Sequence, residues 1–542
     1  MAKSYRPVDR DQPFLLPPDM REWLPGSHPV WLVIEAVGLL DTSAFHARRR
    51  TGGAGAAGYD PDMLVTLLVW AYANGETSSR RIERLCSQDV AFRLACAGNL
   101  PDHVTVARFR RQFAETGASL FAEVLALCAR LGMGRVGVVA LDGTKIGANA
   151  SKDANRAEEG LRKLAAEMAA RHAEADAAED ALFGEGRRGD DDPGDPSTRR
   201  ERVAAALASA AAERERRQAQ SEEDRARAAR AVEAAEAGSP PGGRPPAGSD
   251  VALARENLAR QRAGHQARAA AWRAAAAAGR RPRGNPPVPT EDYSRVRAAR
   301  LRLERAEARE AARAEKEEQK QKDAAAVVRN VTDPASRLMP VRGGGFIQGY
   351  NAQNMVTDDG LVFATELTGD TTDTRWRQPM MEDAAAAAAM MAAAGGPGTG
   401  KIGLALADAG YLSEANLTCP GPDRLIATGK RRDLEEAARA GPAEDAGGTG
   451  GADAAEEGQG TAIAAMAARL KTPDGIAAYR QRGRIAETPH GRIKHNMGIR
   501  RLAMRGMPRA SGEWKLICAA HNLMLAITSG HLTPQALAAL AR

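Results

Sequence analysis

Apolar residues fall into distinct rhythms along the chain. Over residues 58–131 the spacing is helical. Leu64, Leu67, Leu68 and Ala71 recur every three or four positions after Asp60-Pro61, a capping residue followed by proline. Ser79 is placed to cap a second helix carrying Ile82 and Leu85. Pro101-Asp102 opens a third, with Val106, Phe109 and Phe113 on one side. Gly117 is expected to interrupt, and Leu120 to Leu131 resumes the pattern. Val136 to Leu141 is different: a short continuous apolar run, the signature of a buried strand.

Strand signals return at Gly345 to Val356 and Leu361 to Leu367, and Asp358-Asp359-Gly360 between them predicts a hairpin. A helix is expected near Trp376 to Ala394. A second buried run, Ile402 to Ala407, follows, then a short strand at Arg424 to Thr428. Thr472-Pro473 starts another helix, and Trp514 to Ile527 reads as an apolar core helix. Strands covered by helices, with one antiparallel hairpin, make an α/β layered domain.

Between the two halves of that pattern, residues 153–328 are rich in alanine, arginine and glutamate. Phe183, Trp272 and Tyr293 are their only aromatics. Breaks rich in glycine and proline at 184–196, 238–249 and 279–289 divide the segment into four helices. With so few large apolar residues it cannot build a substantial core, and helical hairpins or partial disorder are both open. The expected organisation is an N-terminal extension (1–57), a helical domain (58–131), and an α/β core in pieces (132–152 and 329–432). A helical insertion (153–328), a mobile insertion (433–470, most plainly 440–460) and C-terminal core helices (471–542) complete it. Insertions of this length are tolerable because closure entropy grows slowly with loop length.

At 542 residues the chain exceeds one ordinary core. The formal charge of +7 makes an anionic partner plausible, although 69 acidic residues nearly balance 76 basic ones, so their placement matters more. Cys86, Cys96, Cys128, Cys419 and Cys518 form no C-x-x-C pair and read as reduced core thiols. Residues 1–18 lack an apolar signal core, and no apolar run approaches the roughly 20 residues that span a bilayer. A soluble cytoplasmic protein without a membrane partner is expected. The absence of G-x-x-x-x-G-K-[ST] argues against a nucleotide-driven motor.

Candidate chemistry lies at the ends of the apolar runs. Asp142 ends the first and Asp408 the second, while Glu487 sits in a basic helical stretch between Arg484 and Lys494. Two strands and a helix that each deliver a carboxylate can build a divalent-metal site for phosphodiester chemistry. Plainer readings exist: both aspartates can cap turns, Glu487 can pair with Arg484, and Glu414 is a rival acid. Lys494 lies seven residues beyond Glu487, about two turns along the same face. Tyr479 and Arg482 share a face, as do Arg108 and Arg111. Arg492, Lys494, Arg500, Arg501 and Arg505 are denser than a solvated face needs and suit nucleic-acid phosphates.

The order of these motifs resembles the bacterial insertion-sequence DDE transposases, over roughly residues 58–146 and 345–527. Asp142-Gly143-Thr144-Lys145-Ile146, with Ala148-Asn149-Ala150-Ser151, resembles the family's first-Asp motif, and Gly349-Tyr350-Asn351-Ala352-Gln353 its hairpin strand. Ala407-Asp408-Ala409-Gly410-Tyr411 resembles the second-Asp motif. Tyr479, Arg482, Glu487 and Lys494 resemble the signature around the third acid, and His521-Asn522-Leu523 the closing helix. Pro101-Asp102 through Arg108-Phe109-Arg110 resembles the N-terminal helical domain. Pro489 fits the family but should bend a helix, and His490 stands where an aromatic is expected.

The resemblance implies an RNase H-like mixed sheet with covering helices, preceded by an all-α domain and interrupted by the long helical insertion. It implies that Asp142, Asp408 and Glu487 are catalytic and hold two Mg²⁺ ions, with Mn²⁺ as a substitute. Double-stranded DNA, as transposon ends and target, would be cut and joined through a 3′-hydroxyl. Lys145, Tyr479, Arg482, Arg492, Lys494, Arg500 and Arg501 would contact it near the chemistry, and Arg108, Arg110 and Arg111 would read the element's ends. A homodimer or larger assembly, associated with the nucleoid, is expected. Three rivals remain: a nuclease on the same fold that cuts without joining, a transposase-derived DNA-binding protein, and an RNA-binding protein that uses the basic middle segment.

Overall fold

The computed structural model describes residues 19–48, 58–167, 199–237, 248–278, 285–323, 327–341, 344–398, 400–429 and 462–541. Residues 1–18 and 49–57 of the expected extension (1–57), the break at 184–196 and the mobile stretch at 440–460 lie outside the described residues. The chain divides into two compact units. One comprises residues 1–152, 335–442 and 466–542, and the other residues 153–334 and 443–465.

The first unit begins with helices α1 (Pro29–Val37) and α2 (Ser43–His46), then α3 (Pro61–Ala73), α4 (Ser79–Gln88), α5 (Val90–Ala95), α6 (His103–Arg111) and α7 (Phe113–Arg130). Asp60 caps α3 by accepting from the N–H groups of Asp62 and Met63, and Asp102 caps α6 through Thr105. The helical region starts earlier than residue 58. Val30, Val33, Val37 and Phe45 are buried, and α1 packs on α3. The apolar spacing of Pro29–Val37 carries that signal.

Gly117 does not interrupt α7. A Cβ there would sit 3.0 Å from the backbone of Gly512, and one on Gly512 would sit 2.0 Å from the Phe113 carbonyl oxygen. The two glycines let α7 and the C-terminal helix α14 (Met507–Thr528) approach backbone to backbone. The helices are joined further by a buried polar chain. Tyr72 of α3 donates to Glu513 at 2.6 Å, Arg110 of α6 lies 3.4 Å from the Tyr72 oxygen, and Glu513 also accepts from the N–H groups of Ala503 and Met504.

The sheet is mixed. Strands β1 (Val138–Gly147), β5 (Phe346–Thr357), β6 (Val362–Thr368), β7 (Leu404–Ala407) and β8 (Asp423–Ile426) run β6-β5-β1-β7-β8, and the short β4 (Arg337–Pro340) pairs with the outer end of β5. β5 is antiparallel to β1 and β6, whereas β7 is parallel to both β1 and β8. Helix α11 (Arg377–Ala393) packs on β6 and on α7, and α13 (Pro473–Gly491) lies across β1, β5 and β7. The fold class is therefore mixed α/β with an all-helical N-terminal region. The hairpin turn is as expected, with Gly360 at φ 89°, and the later boundaries fall close to the apolar pattern except that α14 starts at Met507, well before the expected Trp514.

In the second unit, β2 (Asn155–Arg156) pairs with β3 (Arg329–Asn330), and three long helices follow one another: α8 (Arg199–Glu236), α9 (Asp250–Ala277) and α10 (Ser294–Asp323). α9 and α10 pack as a hairpin around Leu258, Val296 and Ala299, with His265 stacked 4.4 Å from Tyr293. So small a cluster agrees with the scarcity of large apolar residues. Exposed charges pair at helical spacing, as in Arg217–Glu213 and Arg227–Glu223.

Candidate active site

The two aspartates emerge from adjacent parallel strands. Leu141 of β1 is level with Ala407 of β7, so Asp142 and Asp408 occupy neighbouring positions at the same end of the sheet. Asp142 is 8% exposed. Asp408 accepts from the Gly410 N–H, capping the 3₁₀ turn Ala409–Tyr411. Both carboxylates reach one guanidinium. Arg482 of α13 donates to Asp142 at 2.9 Å and lies 3.5 Å from Asp408, which puts the two acid oxygens no more than 6.4 Å apart.

The Arg482 guanidinium is held charged by its neighbours: burial opposes its proton, and Asp142, Tyr479, Asp408 and Glu487 outweigh burial. Its Nε is buried without a hydrogen-bond partner. A cation already sits between two converging carboxylates and is not fully satisfied there. That donor set, all oxygen and doubly anionic, fits Mg²⁺ or Mn²⁺. Glu487 is exposed on the same helix, and it adds to the attraction on Arg482. The structure thus brings Asp142 and Asp408 together and leaves Glu487 on the rim of α13.

Strand alternation sorts the rest of the site. Asp142 and its register partner Asn354 share one face of the sheet, while Gly143, Lys145, Gln353 and Asn351 share the other. On the first face Asn354 contacts His490 Nε2 at 2.9 Å, and His490 Nδ1 lies 3.6 Å from Asp142. Burial, with Lys494, His521 and Arg482 nearby, lowers the His490 pKa to about 3, so the ring is neutral. The histidine that stands in place of the expected aromatic is thus a neutral ring that also bonds.

On the second face the sequence reading missed a fourth carboxylate, Asp373. It accepts from Asn351 at 2.6 Å and Gln353 at 2.7 Å and lies 3.6 Å from the Lys145 ammonium. A Cβ on Gly143 would stand 2.6 Å from Asp373 Oδ1, so glycine follows Asp142 because this cluster presses on the strand. The signal available was the aspartate four residues beyond Gly369, but nothing in its loop marks it out from Asp370. Burial pushes the Tyr411 phenol well up, and Asp373, Asp142 and Asp408 add to the shift.

Pro489 does not end α13, which runs to Gly491 and passes into a π-helical turn, Arg492–Asn496. Met497 donates to the Arg492 carbonyl at 2.9 Å. In that turn Lys494 donates to the Lys145 carbonyl at 2.8 Å and to Thr144. Its ammonium is bonded to β1 just past Asp142. Tyr479 donates to the Ala407 carbonyl at 3.3 Å, at the foot of Asp408. Arg501 and Arg505 donate to the carbonyls of Ala148 and Asn149, both at 2.8 Å. Arg500, Arg501 and Arg505 are exposed and Arg492 is half-buried.

In the helical region Arg108 and Arg111 are exposed, but Arg110 is not a surface residue. It is 8% exposed and bonded to Tyr72 and the Thr77 carbonyl, so its expected place at a DNA interface is corrected to the core. Apolar neighbours on either side of a helix do not reveal which arginine points inward. The five cysteines are free, and four are buried as expected. Cys419 instead lies between Arg377 (2.7 Å) and Arg424 (3.3 Å).

Residues 18–112 match the family model described as a transposase domain (DUF772), and residues 455–525 match a transposase DDE domain. Both matches are to transposase domains, and together they support an insertion-sequence DDE transposase. The second match covers Arg482, Glu487, His490 and Lys494. Asp142 and Asp408 lie between the two matched segments. No curated protein and no solved structure matches the chain. Among the described residues, no helix is long and apolar enough to cross a membrane.

Proposed function

We propose that this transposase binds the terminal inverted repeats of an insertion sequence, cleaves DNA with divalent metal, and joins a 3′-hydroxyl to target DNA. The single observation that carries the reading is the meeting of Asp142 and Asp408 on Arg482. The strand order β6-β5-β1-β7-β8, with an antiparallel meander beside a parallel pair, supports an RNase H-like assignment for the core.

Asp142 and Asp408 are the proposed ligands for Mg²⁺, with Glu487 completing the set from the helix that already presents Arg482. Bound there, the ions would activate the attacking oxygen and stabilise the leaving one. Arg482 balances the two aspartates before a cation arrives. His490 braces Asp142. Arg492, Arg500, Arg501 and Arg505 attract DNA phosphates, and Arg108 and Arg111 present charge from the helical region. Tyr479 and Lys494 lie close to the acids, bonded to the Ala407 and Lys145 carbonyls, while Lys145 is held by Asp373 and the Thr371 carbonyl on the other face of β1, where it offers charge to DNA. Transposition chemistry joins two ends, so at least a dimer on DNA is proposed.

The test is cleavage of DNA that carries the matched inverted ends flanking the coding region. Asp142→Asn, Asp408→Asn and Glu487→Gln should each abolish Mg²⁺-dependent nicking and the strand-transfer product. Wild-type cleavage by any one variant removes that residue. Nicking without a joined product favours the nuclease.

A further inference from the structure

Lys145 and Asp142 are three residues apart on one strand, so they point to opposite faces. Lys145 still feels both acids. Burial lowers its pKa, and Asp373, then Asp142 and Asp408, act against that shift. Asp142 and Asp408 already share one cation, Arg482. A second ammonium swinging onto them would occupy the position a divalent ion needs.

We propose that Asp373 is a positioning residue whose carboxylate holds the Lys145 ammonium on the far face of β1, keeping Asp142 and Asp408 available for a divalent cation. This rests on the reading of those two acids given above. Asp373 is built in. Asn351 and Gln353 aim their amides at its Oδ1, at 2.6 and 2.7 Å, and the Gln353 carbonyl oxygen is in turn bonded by Tyr411. Lys145 is held on the same side by the Thr371 carbonyl at 3.2 Å.

The loop that carries Asp373 is stitched to the Asp408 turn. Thr374 donates to the Gly410 carbonyl at 2.8 Å, and Asn416 donates to the carbonyls of both Thr374 and Tyr411, at 2.8 and 2.7 Å. A Cβ on Gly410 would be 3.4 Å from Asp373 Oδ2. The Lys145 counter-ion and the second acid are therefore one braced assembly, and a shift in one is felt by the other.

The experiment is Mn²⁺ binding to the full-length chain without DNA, read by the electron paramagnetic signal of free Mn²⁺, with melting temperature alongside. Asp373→Asn keeps an acceptor oxygen for the two amides but loses the charge. It should weaken Mn²⁺ binding about tenfold, within the range for partners of metal ligands, and melt within a few degrees of wild type. Adding Lys145→Met to Asp373→Asn should restore the affinity, because the competing ammonium is gone. Wild-type affinity in Asp373→Asn, or no recovery in the double variant, overturns the proposal. Should Asp373→Asn fail to fold, Lys145→Met alone decides: its affinity should equal wild type, and a tenfold change in either direction overturns the idea. Asp142→Asn is the control. Undiminished Mn²⁺ binding there sinks the reading of the acids, whereas loss there with none in Asp373→Asn sinks this inference alone.

Discussion

Asn354 fixes the tautomer of His490. The Asn354 side-chain oxygen accepts from the Thr365 hydroxyl, which itself accepts from the Trp514 indole N–H at 2.7 Å. Its amide nitrogen lies 2.9 Å from His490 Nε2, and since an amide nitrogen only donates, that ring nitrogen is the acceptor. The ring proton is left on Nδ1, directed at Asp142, 3.6 Å off. Second-layer contacts of this kind set ligand orientation. His490→Ala should thus lower metal-dependent cleavage by about 10- to 100-fold while DNA binding without metal is unchanged. A gel-shift and a cleavage assay on one preparation separate the two, and equal loss in both would refute the bracing role.

The two interhelical glycines give a stability prediction. Gly512→Ala places a methyl 2.0 Å from a backbone oxygen, and backbone cannot turn aside as a side-chain end can. Overpacking of this sort costs about 1–3 kcal/mol or more. Gly117→Ala, with its nearest atoms at 3.0 Å, should cost less. Denaturant melts of both variants should rank them in that order.

Much of this was legible beforehand, and the failures share a cause. Period and capping located α3, α6, β5, β6, α13 and α14, because amphipathic spacing and Asp or Thr caps are local signals. Asp142 and Asp408 stood out because each ends an apolar run. Gly117 misled because a glycine that permits close helix packing looks the same in sequence as one that breaks a helix. Arg110 and Asp373 were hidden for the same reason. Whether an arginine turns inward, or an aspartate meets two amides across a sheet, depends on partners tens to hundreds of residues away, such as Glu513 for one and Asn351 for the other.

His521 supplies a pH dependence. It is buried in α14, 3.4 Å from the Gly360 carbonyl, and burial lowers its pKa to about 4. The folded value lies below the unfolded one of roughly 6.5. The unfolded chain thus binds the extra proton first as pH falls. The stability contribution is complete above about pH 6.5 and is lost between there and pH 4, at up to about 1.4 kcal/mol per pH unit. His521→Asn should flatten that limb of a plot of melting temperature against pH. An unchanged slope would show that other groups set it.

Arg108, Arg110 and Arg111 should separate cleanly despite lying within four residues. Arg108 and Arg111 are exposed, so replacing either with Ala should weaken DNA binding and reduce the slope of log affinity against log salt by about 1, without altering the melt. Arg110 is bonded to Tyr72, which donates to the buried Glu513. Its removal takes the guanidinium from the Tyr72 hydroxyl and the Thr77 carbonyl and leaves that part-buried carbonyl without its donor, a loss of about 1–3 kcal/mol. Arg110→Ala should therefore unfold early and show its DNA-binding defect only through lost protein. A folded Arg110→Ala with a reduced salt slope would return that arginine to the interface and overturn its place in the core.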